Sequence, residues 1–478
     1  MKVHVKHMKY SLIVFFLLGI LFSGCIQEET QTEKQLTEEL PDWTVSEKIV
    51  AKIDSSSIQE SIKISPDNKH VAFITKKGNK RCVIVDGAEQ KLYDGLVNDS
   101  LIFSPDSTRL AYEVEKDDEF FVVINGVEEK KYNNIGMGSF VFSPDSKISA
   151  YAAQRDNKVF VVIDGQEGEQ YDGIGMTIHF SPNSKRLAYI AEQGDKSFVV
   201  VDENEDRKYD GIGGASFNFS PDSSHIAYTA KIGNKWAVIV DGKEEKQYDN
   251  IRRDSLTFSP DSKRIAYVVV EGDKQFVVID GKEEKKYDFI GFGRFFSPDS
   301  KNVAYVAIEG DKQFVVLNEK EEKRYDGIME GTPIFSPNST QMAYSAIVGN
   351  DMFVVMNGKE EKHYGGLGTT ITFSPDSRHL AYVVREENKQ FVVVDGKEDK
   401  QYNGIAQGSI IFSPDGKRLA YGASVDRNQI VVVVDGKEGK KYDVIIDNNG
   451  MSIFTSPNNL HYLALKGNTI YLVEVEIN

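Results

Sequence analysis

Ser255-Leu-Thr-Phe-Ser-Pro-Asp-Ser-Lys-Arg-Ile-Ala-Tyr-Val-Val-Val-Glu-Gly-Asp-Lys-Gln-Phe-Val-Val-Ile-Asp-Gly-Lys-Glu-Glu-Lys-Lys-Tyr-Asp288 reads as four short strands joined by three turns. A first strand ends at Phe258. Ser-Pro-Asp-Ser then turns the chain, because proline presets φ and the Asp and Ser side chains bond the local backbone. A second strand runs from Arg264 to Val270, and Glu-Gly-Asp-Lys turns again. The third strand, Gln275 to Ile279, is a continuous apolar run, as a strand covered on both faces requires. Asp280-Gly281 is a two-residue hairpin signal, since a type I′ turn needs φ > 0 at both central positions. The fourth strand, Glu283 to Tyr287, is charged, with one aromatic left to bury. Its charges protect an outer edge from pairing with another chain.

The unit recurs along the chain. The proline of the Ser-Pro turn falls at Pro66, Pro105, Pro144, Pro182, Pro221, Pro260, Pro298, Pro337, Pro375, Pro414 and Pro457. The steps are 38 or 39 residues, with a last step of 43. One hairpin meander cannot bury both of its faces, whereas copies stacked around an axis can. No 3.6-residue stripe follows the first 25 residues, which excludes a helical solenoid. The expectation is an all-β propeller of eleven four-stranded antiparallel blades. The last copy has strands at Ser452–Thr455, His461–Leu465 and Thr469–Glu476 but no fourth. Ser46–Ile53, ahead of the first copy, has fourth-strand character and is expected to complete it. Propellers usually have 4 to 8 blades. Two arrangements therefore stay open, one wide ring or two smaller tandem propellers.

Phe-Ser-Pro-Asp-Ser-Lys-Arg-Ile-Ala-Tyr (258–267) resembles the repeat of the WD-repeat-like propellers typified by TolB, and that of the propeller domains of prolyl-oligopeptidase-type enzymes. The resemblance covers residues 62–465 and is a likeness of repeats. It implies fold and transfers neither family's activity. Neither a TolB-like N-terminal domain nor an α/β-hydrolase domain is read outside the repeats.

The start of the chain reads as an address. Lys2, Lys6 and Lys9 precede an apolar run from Tyr10 to Phe22, then Ser23, Gly24 and Cys25. The run is shorter than the roughly 20 residues a membrane-spanning helix needs. Leu-Phe-Ser-Gly-Cys resembles a lipobox, which implies a signal over residues 1–24 and a diacylglyceryl group on the Cys25 thiol. Two lipid chains suffice for stable anchoring. Residues 25–43 read as a polar, acidic tether, and 44–478 as the propeller. The expected place is therefore extracytoplasmic, on a cell membrane. The net charge is −16; losing three lysines with the signal takes it to −19 (−16 − 3). That balance argues against a nucleic-acid partner, which needs a basic face. Cys82, where other copies carry Phe121, Phe160 or Phe198, reads as a small core residue, and two cysteines exclude a disulfide framework.

Chemistry in a repeat protein should break the pattern. His70, His225 and His379 share a position taken elsewhere by Arg109, Arg186, Arg264 and Arg418, and His179, His363 and His461 are scattered. No Gly-x-Ser-x-Gly elbow, His-Glu-x-x-His pair or phosphate loop occurs, so no catalytic residue, metal or cofactor is assigned. The Ser-Pro and Asp-Gly turns are nearly constant and belong on one face. The segments between fourth and first strands vary: Met137-Gly-Ser, Met176-Thr, Arg252-Arg253-Asp254, Phe292-Gly-Arg294, Met329-Glu330-Gly, Ala406-Gln407 and Asp447-Asn448-Asn449. They are expected to connect blades at the mouth of the channel on the opposite face, beside Trp236, read as the lone tryptophan of the folded part. Arg252, Arg253, Phe292, Arg294, Met329, Glu330 and Trp236 are the candidate ligand-binding residues, the arginine pair suited to an acidic group. The expected function is a lipid-anchored binding scaffold for an envelope protein, peptide or polysaccharide. The alternatives are a polysaccharide-active lyase or glycosidase at the channel mouth, and a purely architectural lipoprotein.

Overall fold

In a computed structural model of the chain, the described residues are 43–478, apart from 214–216, 292, 294, 427 and 447–451. They form eleven antiparallel sheets, each one blade, numbered here by turn so that blade 1 carries Pro66 and blade 11 Pro457. In blade 6 the second strand is Ile265–Glu271 and the third Lys274–Ile279, with Phe276, Val277 and Val278 fully buried. The hairpin residues Asp280 and Gly281 lie at φ 51° and 77°, the left-handed pair that a type I′ turn demands. The fourth strand is briefer than its pattern implies: Lys282–Glu283 pairs, the chain bulges, and Tyr287 pairs again with Gln275. Tyr287 is buried while Lys285 and Lys286 beside it reach outward.

The sheets close into one eleven-bladed ring, which settles the choice against two smaller propellers. Apolar clusters join successive blades, and one of them joins Leu463 and Ile470 of blade 11 to Phe73, Cys82 and Ile84 of blade 1. Blade 11 is completed by Trp43–Lys52, which pairs antiparallel with Thr469–Ile477. Trp43 is buried, so the folded part holds two tryptophans and Trp236 is not alone there.

Four cross-blade devices repeat around the ring. First, the backbone N–H of the turn Asp or Asn donates to the turn serine of the next blade, as from Asp261 to Ser300 Oγ at 2.9 Å; eight such bonds are present among the described residues. Second, the Asp after the fourth-strand Tyr accepts a glycine N–H from the next blade's second turn, as Asp288 does from Gly310 at 2.7 Å. Third, Lys and Glu on neighbouring fourth strands pair, as Lys285 and Glu321 do at 2.6 Å. These long side chains span the wide outer rim of a ring whose blades diverge outward. Fourth, the fourth-strand Tyr packs edge-on against the next blade's aromatics, as Tyr287 does on Phe314 at 5.5 Å.

Candidate functional site

The first strand is the inner edge of each blade, and here the structure corrects the expectation drawn for the variable segments. They are not connections between blades. In blades 3, 6, 8 and 10 they are tight turns inside the first strand itself, facing the axis, while Met176 and Thr177 lie at a bulge in the continuous first strand Gly173–Phe180 of blade 4. In blade 6, Asn250–Ile251 pairs with Val270 and Val269, and Thr257–Phe258 pairs with Ala266 and Ile265. Between them the chain makes a turn with Asp254 at φ 61°. Ser255 Oγ donates to Arg252 O at 2.7 Å and accepts the Val268 N–H at 3.0 Å, so a hydroxyl stands in for the missing ladder bond. Ser100 and Ser409 do the same in blades 2 and 10, and in blade 3 Ser139 Oγ accepts the Ala152 N–H at 3.0 Å. The frame recurs where the turn is present, and the apex residues are free to differ; in blades 4 and 9 the first strand instead runs on through a bulge, as Gly173–Phe180 and Leu367–Phe373.

The candidate residues divide accordingly. Arg253 and Glu330 are exposed at the apices of blades 6 and 8. Met137, at the apex of blade 3, is 82% exposed. Arg252 does not extend the cationic surface. Its guanidinium donates to Ile290 O and Gly291 O of blade 7 and lies 5.8 Å from the Phe289 ring, and burial pushes its pKa down to about 10. Met329 packs into the cluster between blades 8 and 9. Trp236 stands apart from the inner turns: it begins a third strand, pairs with Lys231 and Tyr248, and packs between blades 5 and 6. Phe292, Arg294, Asp447, Asn448, Asn449 and Cys25 lie outside the described residues.

The histidines do not converge. His70, His225 and His379 each hold the Asp of their own blade's hairpin, at 2.6 Å, which places both constant turns on one face. His461 contacts Asp67 O at 2.6 Å, and His363 stacks on Phe353. Among the described residues no three His, Cys, Asp or Glu side chains gather as metal ligands would. A cleft of about 440 Å³ opens between blades 1 and 2, but His70, Asp86, Asp106 and Arg109 in its wall are already engaged with the turns.

One residue escaped the sequence reading. Glu113 is 5% exposed, on the second strand of blade 2. Its counterparts are Ile74, Ala152, Ile190, Thr229, Val268, Val306, Ser345, Val383, Gly422 and Leu463. Overlaying the copies would have found it, since it alone puts a charge there. Burial raises its pKa to about 7.

No protein-family model matches the chain, and no curated protein does. Solved structures that it resembles include a eukaryotic initiation factor (14% identity, TM-score 0.40, 74% of this chain and 89% of that one). The Dos1 propeller also matches (12%, 0.31, 62% and 91%). So does TolB from Acinetobacter baumannii (15%, 0.25, 46% and 61%). At such identities and scores they carry no argument about function, and the fold rests on the sheets themselves. A β-propeller of this kind is consistent with a binding or scaffold role.

Proposed function

We propose that this chain is a lipid-anchored, extracytoplasmic scaffold that binds an envelope protein, peptide or polysaccharide at the wall of its central channel. One observation carries the reading. The hydroxyl-latched turns facing the axis in blades 3, 6, 8 and 10 present different side chains at their apices that the latch does not use, Arg253, Glu330 and Met137 among them. Binding residues borne on loops of a rigid scaffold are the usual arrangement for recognition. The anchor rests on Leu21-Phe-Ser-Gly-Cys25.

The test is recovery of partners from a cell-envelope extract by residues 42–478, compared with the Arg253→Ala/Glu330→Ala protein. Loss of a partner from the variant, with its melting temperature unchanged, is the expected result. Equal recovery of every partner removes the channel wall from the reading. In the full chain, Cys25→Ala should move the protein from the detergent phase to the aqueous phase.

A further inference from the structure

Glu113 and Arg252 occupy the same layer of the ring, in different blades, and their circumstances are opposite. Both lie beside an inner turn, on the face turned toward the following blade. Arg252 is the cross-strand neighbour of Val268, the counterpart of Glu113, and Val97 N–H donates to Glu113 O at 3.1 Å in the same way. Arg252 meets two carbonyls and an aromatic ring. Glu113 meets nothing of the kind. Its N–H is held by Ser100 Oγ at 3.0 Å, but among the described residues its carboxylate makes no ion pair or hydrogen bond.

Strand alternation fixes its direction. Tyr112 and Val114 join the cluster shared with blade 1, and Ala111 joins the one shared with blade 3. Glu113 therefore turns, like Ala111, toward blade 3. The side chains gathered there are apolar: Ala111, Val122, Ile135, Phe140 and Ala153. The polar groups of the adjoining inner turns are the hydroxyls of Ser100 and Ser139, the amide of Asn98, which accepts from the blade 1 Arg81 guanidinium at 3.4 Å, and the carboxylate of Asp99, whose side chain is 77% exposed and 3.6 Å from Lys63. Burying a carboxylate without a partner is costly, and retaining one where ten counterparts are uncharged calls for a partner from outside. Two of the described apices nearby are acidic and exposed, Glu60 in blade 1 and Asp99 in blade 2, and the apex of blade 3 is the uncharged Met137. The whole chain is acidic too, at −16, which draws cations toward the ring.

We propose that the channel wall between blades 2 and 3 is a subsite for the ammonium or guanidinium group of a basic peptide, with Glu113 as its buried counter-charge. The proposal rests on the channel wall being a binding surface and adds the chemistry of the ligand. Asp99 meets the cation first at the surface; Glu113, only 5% exposed, takes it where solvent screening is weaker and the pair is stronger. Met137, exposed on the facing turn of blade 3, offers an apolar contact to the alkyl stem of the arriving side chain. Without a ligand, burial keeps the Glu113 carboxyl largely protonated below neutral pH. A bound cation displaces that proton, so binding releases it and strengthens as the pH rises through 7.

The experiment is calorimetric titration of the whole chain with octalysine, at low salt, in buffers of different ionisation enthalpy, at pH 6 and pH 8. Octaglutamate is the control. Wild type should bind octalysine and release close to one proton per site at pH 6. Glu113→Gln, which keeps size and removes charge, should weaken binding about tenfold at pH 8 and abolish the proton release. Asp99→Asn should weaken binding less and leave the release intact. Melting curves of both variants check that they fold. Unchanged affinity or unchanged proton release in Glu113→Gln overturns the subsite. If octalysine does not bind while envelope partners are still captured through Arg253 and Glu330, the basic-peptide inference fails and the scaffold reading stands.

Discussion

The interface between blades 6 and 7 and the one between blades 11 and 1 close the same ring by different means. The first has every cross-blade device: Ser300 accepting from Asp261, Asp288 on Gly310, Lys285 on Glu321 and Tyr287 on Phe314. At the second, at least one member of each device has changed type. Asn68 stands in place of the serine, Lys52 of the aspartate, Ile49 of the lysine, Ala51 of the tyrosine and Cys82 of the phenylalanine. Three of these changes lie on Trp43–Lys52, which is not part of any repeat and carries none of its signals; Asn68 and Cys82 are departures within the copy that forms blade 1. What holds this seam instead is a ladder of nine residue pairs within blade 11, the apolar cluster around Ala51 and Phe73, and the contact of His461 with Asp67 O. The comparison teaches that closure is a matter of sheet pairing and burial, and that the polar devices align blades already stacked.

The largest effect should come from removing the ladder. Deleting residues 43–52 leaves blade 11 without its outer strand and should cost on the order of 5 kcal/mol, with hydrogen exchange in blades 11 and 1 rising well before that in blades 6 and 7. Uniform protection loss around the ring would erase the distinction between the interfaces.

A smaller effect belongs to Glu47, which ties the same strand to blade 10 through Tyr442 and Lys440. Burial pushes its carboxyl up, but the hydrogen bonds from Tyr442 and Lys440 and the Lys440 charge outweigh this and leave the pKa below its ordinary value. Its stabilisation is therefore complete above the unfolded-state pKa and disappears as the pH falls through the lower folded one. Glu47→Gln should cost about 1 kcal/mol or less at pH 7, discounted for solvent screening, and nothing once wild type is itself protonated. Chemical denaturation at several pH values measures it.

The smallest effect tests the outer rim. Ile49→Lys restores the residue type found at this position elsewhere and can reach Glu89, which now pairs with Lys77. An exposed bridge of this sort should add about 0.5 kcal/mol at most. A gain of several times that, in the same denaturation experiment, would mean that the seam is limited by its rim and not by its ladder.

The legible part of the fold was local. Ser-Pro-Asp-Ser, Asp-Gly and the Phe-Val-Val run each act within a few residues, so a single copy displays them. The closing strand was legible because the last copy visibly lacked a fourth. The turn serine's bond to the preceding blade was not, because its partner lies 39 or 40 residues away in another copy, as Ser300 and Ser107 show. The inner turns misled for a related reason: two-residue strands such as Thr257–Phe258 leave little alternation to read, and the Ser255 latch depends on a strand still to come. Glu113 sits in Tyr-Glu-Val-Glu-Lys, which reads as an ordinary edge with alternate residues outward, and only the neighbouring blade buries it.

The pairing of Ser46 with Glu474 joins residues 428 apart. During synthesis the early strand has no ladder to join until residues 469–477 have been made, while the blades between can stack in order as they emerge. Loop-closure entropy grows only slowly with length, so the wait costs the finished ring little. Its burden falls on the nascent chain, which must keep an unpaired edge away from its neighbours until the circle can shut.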